Sequence, residues 1–286
     1  MKRVFLFLSM VAALCACSNR ASKAESTEEA DSTMVAEVND SIANADETIV
    51  TVETLKYEKS DSTAEVSLLI QWPTEGPQPL VDSLRHHIGE LLMDDNFSGP
   101  KSIQTYGESL FESLSADWHG VYDEMSPDER SGALTRNYSI TVLTQTDSYI
   151  TYHYHHFDYG GGAHGYTTEA AFSFRKSDGK QIPLLANTNS PKFAKLLKEG
   201  VRSFFSEEKP LSDEELLEYL FAEEVSALNH LPLPGNAPYL SETGVVFCYT
   251  QYEIAPYSSG IITFEVPFKH ITPFLTEEAK SMIPRQ

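Results

Sequence analysis

The stretch Tyr152–Tyr166, reading YHYHHFDYGGGAHGY, constrains what this 286-residue chain can fold into more than any other. An aromatic and histidine run with strand character gives way to three consecutive glycines, Gly160, Gly161 and Gly162. Glycine adopts positive φ, or lets another backbone come close, where a Cβ would be costly. Ordering three in a row costs more backbone entropy than a simple turn demands. A strand therefore stops here at a loop of special geometry, which continues through Ala163, His164, Gly165 and Tyr166.

On either side of that loop the hydrophobic period switches between two and 3.6. Thr48–Lys59 and Ala64–Trp72 alternate and are β-branched, which predicts two strands around the turn Ser60-Asp61-Ser62. Pro73–Pro79 breaks the pattern, and Leu80, Leu84, Ile88 and Leu91 then recur at helical spacing, predicting a helix over Leu80–Met93. A second helix is expected over Lys101–Met125, stopped by Ser126-Pro127. Tyr138–Thr144 and Tyr149–Phe157 read as a hairpin, and Ala170–Phe174 as the strand after the glycine loop. Beyond Ile182 the pattern restarts. Phe193–Phe205 reads as a helix, Ser212-Asp213-Glu214-Glu215 as a capping box for a helix through Leu220 and beyond, and Gly244–Tyr249 and Ile261–Val266 as strands. Phe268–Leu275 reads as a short closing helix. The order implies an α+β protein of two small modules, residues 48–181 and 182–286, with antiparallel sheets packed against helices.

The N-terminus carries Lys2 and Arg3, then an apolar run from Val4 to Leu14, too short for the roughly 20 residues that span a bilayer. Leu14-Cys15-Ala16-Cys17 resembles a bacterial lipobox, which makes residues 1–17 a lipoprotein signal peptide and Cys17 the lipidated residue. Residues 18–47 contain no aromatic residue and read as an acidic, disordered tether, similar to the surface-export tags of Bacteroidota lipoproteins. The expected location is the cell envelope, anchored to the outer membrane by lipid alone. Only Cys248 then remains in the folded body, so no intrachain disulfide is possible. Loss of Lys2 and Arg3 leaves 19 basic against 42 acidic residues, a net charge of −23. That balance argues against nucleic acid as a partner and favours encounter with cationic ones.

Chemistry-bearing motifs are sparse. His153 and His155 share a strand face while His156 points away, and His164 could fold back across the glycines, so His153, His155 and His164 are weak metal candidates. Half-exposed strand residues are the plainer reading, and no metal or cofactor is expected. No Gly-x-Ser-x-Gly elbow occurs, Ser-x-x-Lys recurs only as scattered copies, and Cys248 lies in an apolar strand, so no catalytic residue is assigned. The two loops Tyr159–Tyr166 and Tyr252–Gly260 remain. Both combine glycine or proline with tyrosine, whose large area and small rotamer entropy suit a binding surface. The candidate ligand-binding residues are Tyr159, Gly160, Gly161, Gly162, His164, Tyr166, Pro256 and Tyr257.

Tyr159–Gly165, with Phe172-Ser173-Phe174 and Asp178-Gly179-Lys180, resembles the GGAH segment of the DUF4163/PdaC-like domains of bacterial envelope proteins. Tyr252–Gly260, leading into Phe264–Phe268, is similar to the hallmark of the companion DUF3298 domain. Such pairs form the outer part of lysozyme-responsive RsiV-type anti-sigma factors and precede the catalytic domain of some peptidoglycan deacetylases. The resemblance implies a non-enzymatic envelope binding protein whose partner is a cationic protein such as lysozyme, or cell-wall glycan. Signalling and deacetylation are not expected, since no sigma-binding or deacetylase segment is recognisable. The alternative is a metal- or His164-dependent hydrolase acting on cell-wall glycan.

Overall fold

The computed structural model describes residues 49–284 apart from 127, 131, 207, 208, 224 and 226. The signal peptide, Cys17 and the tether to residue 47 lie outside the described residues. Strands β1 (Thr51–Ser60) and β2 (Ala64–Glu75) form the expected hairpin. Asp61 builds its turn, accepting from Thr63 N at 2.7 Å, from the Thr63 hydroxyl at 2.7 Å and from Ala64 N at 3.0 Å. Those bonds hold its carboxyl below the ordinary aspartate range. Pro73 does not end β2 as expected. The next strand pairs with β2 only as far as Ile70, so Pro73 has a neighbour on one side alone, where a missing N–H is tolerated.

Helices α1 (Gln78–Leu92) and α2 (Ile103–Tyr122) cover one face of the sheet. Leu80, Leu84, Ile88 and Leu92 of α1 and Phe111, Leu114 and Trp118 of α2 are buried with Leu55, Leu68 and Ile70 of the first two strands. The helix pair is also a crossover. It delivers β3 (Leu134–Gln145) alongside β2 in parallel, the one departure from the expected antiparallel pairing in this sheet. Strands β4 (Tyr149–Tyr159) and β5 (Tyr166–Arg175) complete the order β1-β2-β3-β4-β5. β5 starts at Tyr166 and not at Ala170. Tyr166–Glu169 is exposed or half-buried, so hydrophobic alternation is missing where pairing with Asp158–His155 continues.

Helix α3 (Pro191–Phe205) is capped by Ser190, which accepts from Phe193 N at 3.2 Å. The capping box of α4 (Asp213–Leu217) forms with both of its bonds, Glu215 N to Ser212 Oγ at 3.1 Å and Ser212 N to Glu215 Oε2 at 2.7 Å. The helix nevertheless stops at Leu217, short of the expected Leu220. A second antiparallel sheet runs β6 (Tyr239–Leu240), β7 (Gly244–Tyr249) and β8 (Ile262–Pro267), with β7 buried along its whole length. α5 (Phe268–Ile271) and α6 (Glu277–Met282) close the chain.

Buried polar groups stitch the two sheets together. The Thr151 hydroxyl donates to Leu240 O at 2.9 Å, Leu240 N donates to Ser173 Oγ at 2.9 Å, and the Tyr149 hydroxyl donates to Ser241 O at 2.6 Å. Each is satisfied, as burial requires. Ala171 of β5 packs beside them with Tyr239, Val246 and Cys248. Burial pushes the Cys248 thiol pKa up, in keeping with an inert packing role.

Candidate functional site

The two loops singled out by sequence meet. β4 ends at Tyr159, and Gly161 and Gly162 follow with φ of 94° and 91°. The Tyr159 hydroxyl donates to Gly162 O at 3.0 Å and closes the loop on itself. A Cβ on Gly165 would lie 2.5 Å from the Phe157 ring, so the returning chain crosses that ring because it carries none. The second loop, between β7 and β8, is held from inside by Glu253. Its carboxylate accepts from Thr250 N at 2.7 Å and from Gly235 N at 2.6 Å. Ile254 and Ala255 are buried beneath it, while Pro256 is exposed and opens the single 3-10 turn Tyr257–Ser259.

Contact between the loops is aromatic and polar at once. His164 stacks on Tyr257 with ring centroids 3.8 Å apart and planes 21° from parallel. The Tyr257 hydroxyl donates to Gly165 O at 2.9 Å, and Gln251 Oε1 accepts from Thr167 N at 3.0 Å. His164 Nδ1 lies 3.0 Å from the same Gly165 carbonyl, which only accepts, so Nδ1 carries the proton. Nε2 is then free to accept from the Tyr252 hydroxyl at 3.2 Å. Tyr252 is 50% exposed and has φ of 66°, a left-handed conformation unusual for an aromatic residue. Tyr166, 44% exposed, stands where β5 begins. The result is a pre-organised cluster in which His164 and Tyr252 are exposed and Tyr257 is half-buried. A cleft of about 650 Å³ opens beside the same turn, lined by Ser258, Ser259, Phe205, Lys209 and Tyr219. Among the described residues His164 has no carboxylate partner of the kind a general base uses.

The histidines do not gather as the weak metal reading requires. His164 is committed to the two tyrosines, because the second loop offers it a ring face and a hydroxyl 88 residues away in sequence. His153 and His155 instead share Glu169 of β5, His153 through Nε2 and His155 through Nδ1 at 2.7 Å. Burial raises the Glu169 pKa, but the two imidazole bonds outweigh it and leave the carboxyl below its ordinary value. His156 points to the helix-covered face and stacks on Tyr138 at 4.3 Å, where burial lowers its pKa. Sequence reasoning passed over Glu169 and gave Tyr252 no role of its own. The cross-strand register of β4 and β5 was the available signal for the first, and nothing local announces the second.

Residues 187–269 match the family model described as "Protein of unknown function (DUF3298)". These residues form a DUF3298 domain. It spans α3 to the start of α5 and contains Tyr252 and Tyr257, whereas His164 lies before it. Two solved structures are similar over most of the chain. A DUF3298 family member from Bacteroides fragilis superposes with a TM-score of 0.66 at 15% identity, covering 81% of this chain and 96% of that one. A DUF3298 family protein from Pseudomonas aeruginosa gives a TM-score of 0.54 at 15% identity, covering 84% of this chain and 99% of that one. At this identity the likeness is one of fold. No curated protein matches the chain.

Proposed function

We propose that this protein is a non-enzymatic binding protein of the cell envelope, anchored to the outer membrane through lipid on Cys17. In this reading residues 48–181, the DUF4163/PdaC-like module, and residues 182–286 each lend one loop to a shared binding surface. Its ligand is a cationic protein of the lysozyme kind. The observation that supports this most is the His164–Tyr252–Tyr257 cluster, in which two distant loops are tied together yet leave aromatic faces to solvent. Such faces attract Lys and Arg side chains by about 0.5–2 kcal/mol each. A body of net charge −23 after loss of Lys2 and Arg3 draws cationic partners towards that surface. The Tyr252 and Tyr257 hydroxyls are already paired within the cluster, which holds the rings in place and leaves little ordering cost to binding.

The test is co-sedimentation and calorimetry of the full chain with lysozyme and, separately, with purified peptidoglycan sacculi. Saturable binding to lysozyme that weakens at least tenfold in Tyr252→Ala supports the reading. Binding to sacculi alone replaces the ligand with cell-wall glycan and overturns the protein partner. No binding to either, or unchanged binding in the variant, removes the site.

A further inference from the structure

The buried stripe of α3, Phe193, Leu197 and Val201, continues at the next helical positions to Phe204 and Phe205. There it outruns the core, leaving Phe204 38% exposed and Phe205 half-buried. Phe205 stacks on Tyr219 with ring centroids 4.9 Å apart, and Phe204 stands nearly perpendicular to Phe205 at 5.1 Å. Tyr219 is itself 44% exposed. These rings and the serines of the turn Tyr257–Ser259 line the cleft of about 650 Å³, within the range of about 300–1,000 Å³ usual for small-molecule sites. The hydroxyls of Tyr219, Ser258 and Ser259 have no hydrogen-bond partner among the described residues. The turn that carries the two serines is closed by its own backbone, Ser259 N donating to Pro256 O and Gly260 N to Tyr257 O, both at 2.9 Å.

We propose that this cleft binds one ring of an uncharged oligosaccharide, its C–H face against Tyr219 and its hydroxyls bonded to Ser258 and Ser259. Aromatic faces beside unpaired hydroxyls suit a ligand that is apolar on one face and hydroxylated around its rim, and a pyranose ring is built that way. A wholly apolar ligand would cover the three hydroxyls without giving them partners, which opposes its binding. Sugar hydroxyls donate and accept, as those of Ser and Tyr do, so each can be satisfied from either side. Charge selects against acidic sugars. Lys209 is the one cation in the described lining, and Glu215 already stands 3.9 Å from its amine. The formal net charge of −21 on the chain adds repulsion for any anion. Phe204, set across the Phe205–Tyr219 stack, supplies a second apolar wall. This site is independent of the protein partner proposed above, whose contacts are His164, Tyr252 and Tyr257.

The experiment titrates the purified full chain with cellotetraose, with tetra-N-acetylchitotetraose and with tetragalacturonate as the charged counterpart. Calorimetry gives the affinity, and saturation-transfer NMR shows which sugar protons touch the protein. The expected result is a dissociation constant below about 1 mM for at least one neutral sugar, weaker binding of tetragalacturonate, and saturation concentrated on ring C–H protons. Tyr219→Ala binds at least about tenfold more weakly and loses that saturation pattern. Ser258→Ala, at an exposed position, keeps the fold and weakens binding about threefold or more. It decides the matter where loss of the Phe205 stack unfolds Tyr219→Ala. Absence of binding to both neutral sugars at about 1 mM overturns the proposal. So does tetragalacturonate binding as tightly as they do, or affinity unchanged in the folded variants.

Discussion

The three consecutive glycines allow a graded perturbation, because alanine meets a different obstacle at each. Gly160 has no positive φ, and a Cβ there meets open space. Gly160→Ala should be neutral or stabilise by about 0.4–1 kcal/mol, since it only narrows the unfolded ensemble. Gly162 also faces open space but has φ of 91°, so alanine pays backbone strain of about 1–3 kcal/mol and nothing else. Gly161 has φ of 94°, and its Cβ would lie 2.3 Å from the Tyr122 hydroxyl oxygen. The Tyr122 ring cannot swing away freely, being packed on Trp118 with centroids 5.5 Å apart. Overpacking adds about 1–3 kcal/mol, so Gly161→Ala should cost about 2–5 kcal/mol in all. Urea unfolding of the full chain and the three variants reads these differences directly. Tyr122→Phe in the Gly161→Ala background removes the clashing oxygen and should bring the double variant back to the level of Gly162→Ala. Equal losses at all three positions, or no rescue by Tyr122→Phe, would refute the assignment of strain to two glycines and contact to one.

Further expectations concern the loop contact, helix packing and acid stability. Tyr257→Phe should lose about 0.5–1.5 kcal/mol with its hydrogen bond to Gly165. Tyr257→Ala should lose a similar amount again with the His164 stack, while both variants stay folded in urea titrations. Gly200→Ala in α3 places a Cβ 2.1 Å from the Phe264 ring and should cost about 1–3 kcal/mol, whereas Gly120→Ala in α2 meets open space and should stabilise by up to about 1 kcal/mol; paired thermal melts check both. The Arg175 guanidinium holds the Asp178 carboxyl at a pKa of about 2, below its unfolded value of about 3.9. Its contribution is therefore present above about pH 4 and lost as pH falls towards 2. Asp178→Asn should flatten the stability–pH curve in that window and leave its shape above pH 5 unaltered.

What the sequence revealed and what it withheld divide along contact range. The β1–β2 turn at Asp61, the apolar stripe of α1, the Ser212–Glu215 capping box and strand β7 are local patterns, and each is where the period or the cap residues put it. β5 began earlier than expected because Thr167–Glu169 pairs with His155–Phe157 without a hydrophobic face to announce it. The parallel β2–β3 pair was missed because pairing direction is set by the α1–α2 crossover and not by the period of either strand, whereas strand β6 and helix α6 are too short to carry a periodic signal. Both loops were visible as unusual compositions. Their convergence was not, since the His164–Tyr252 and Tyr257–Gly165 bonds join residues 88 and 92 positions apart. Glu169 was hidden for a related reason. Its partners His153 and His155 are 16 and 14 residues away, and only the strand register brings them together.

The most direct test of the binding account is the dissociation constant of the full chain for lysozyme between about 0.05 and 0.3 M salt, measured in parallel for Tyr257→Ala. The account predicts saturable binding that survives at 0.15 M and is at least tenfold weaker in the folded variant at every salt concentration. Binding that vanishes by 0.15 M, or is identical in Tyr257→Ala, would mean charge attraction without a site and would contradict it.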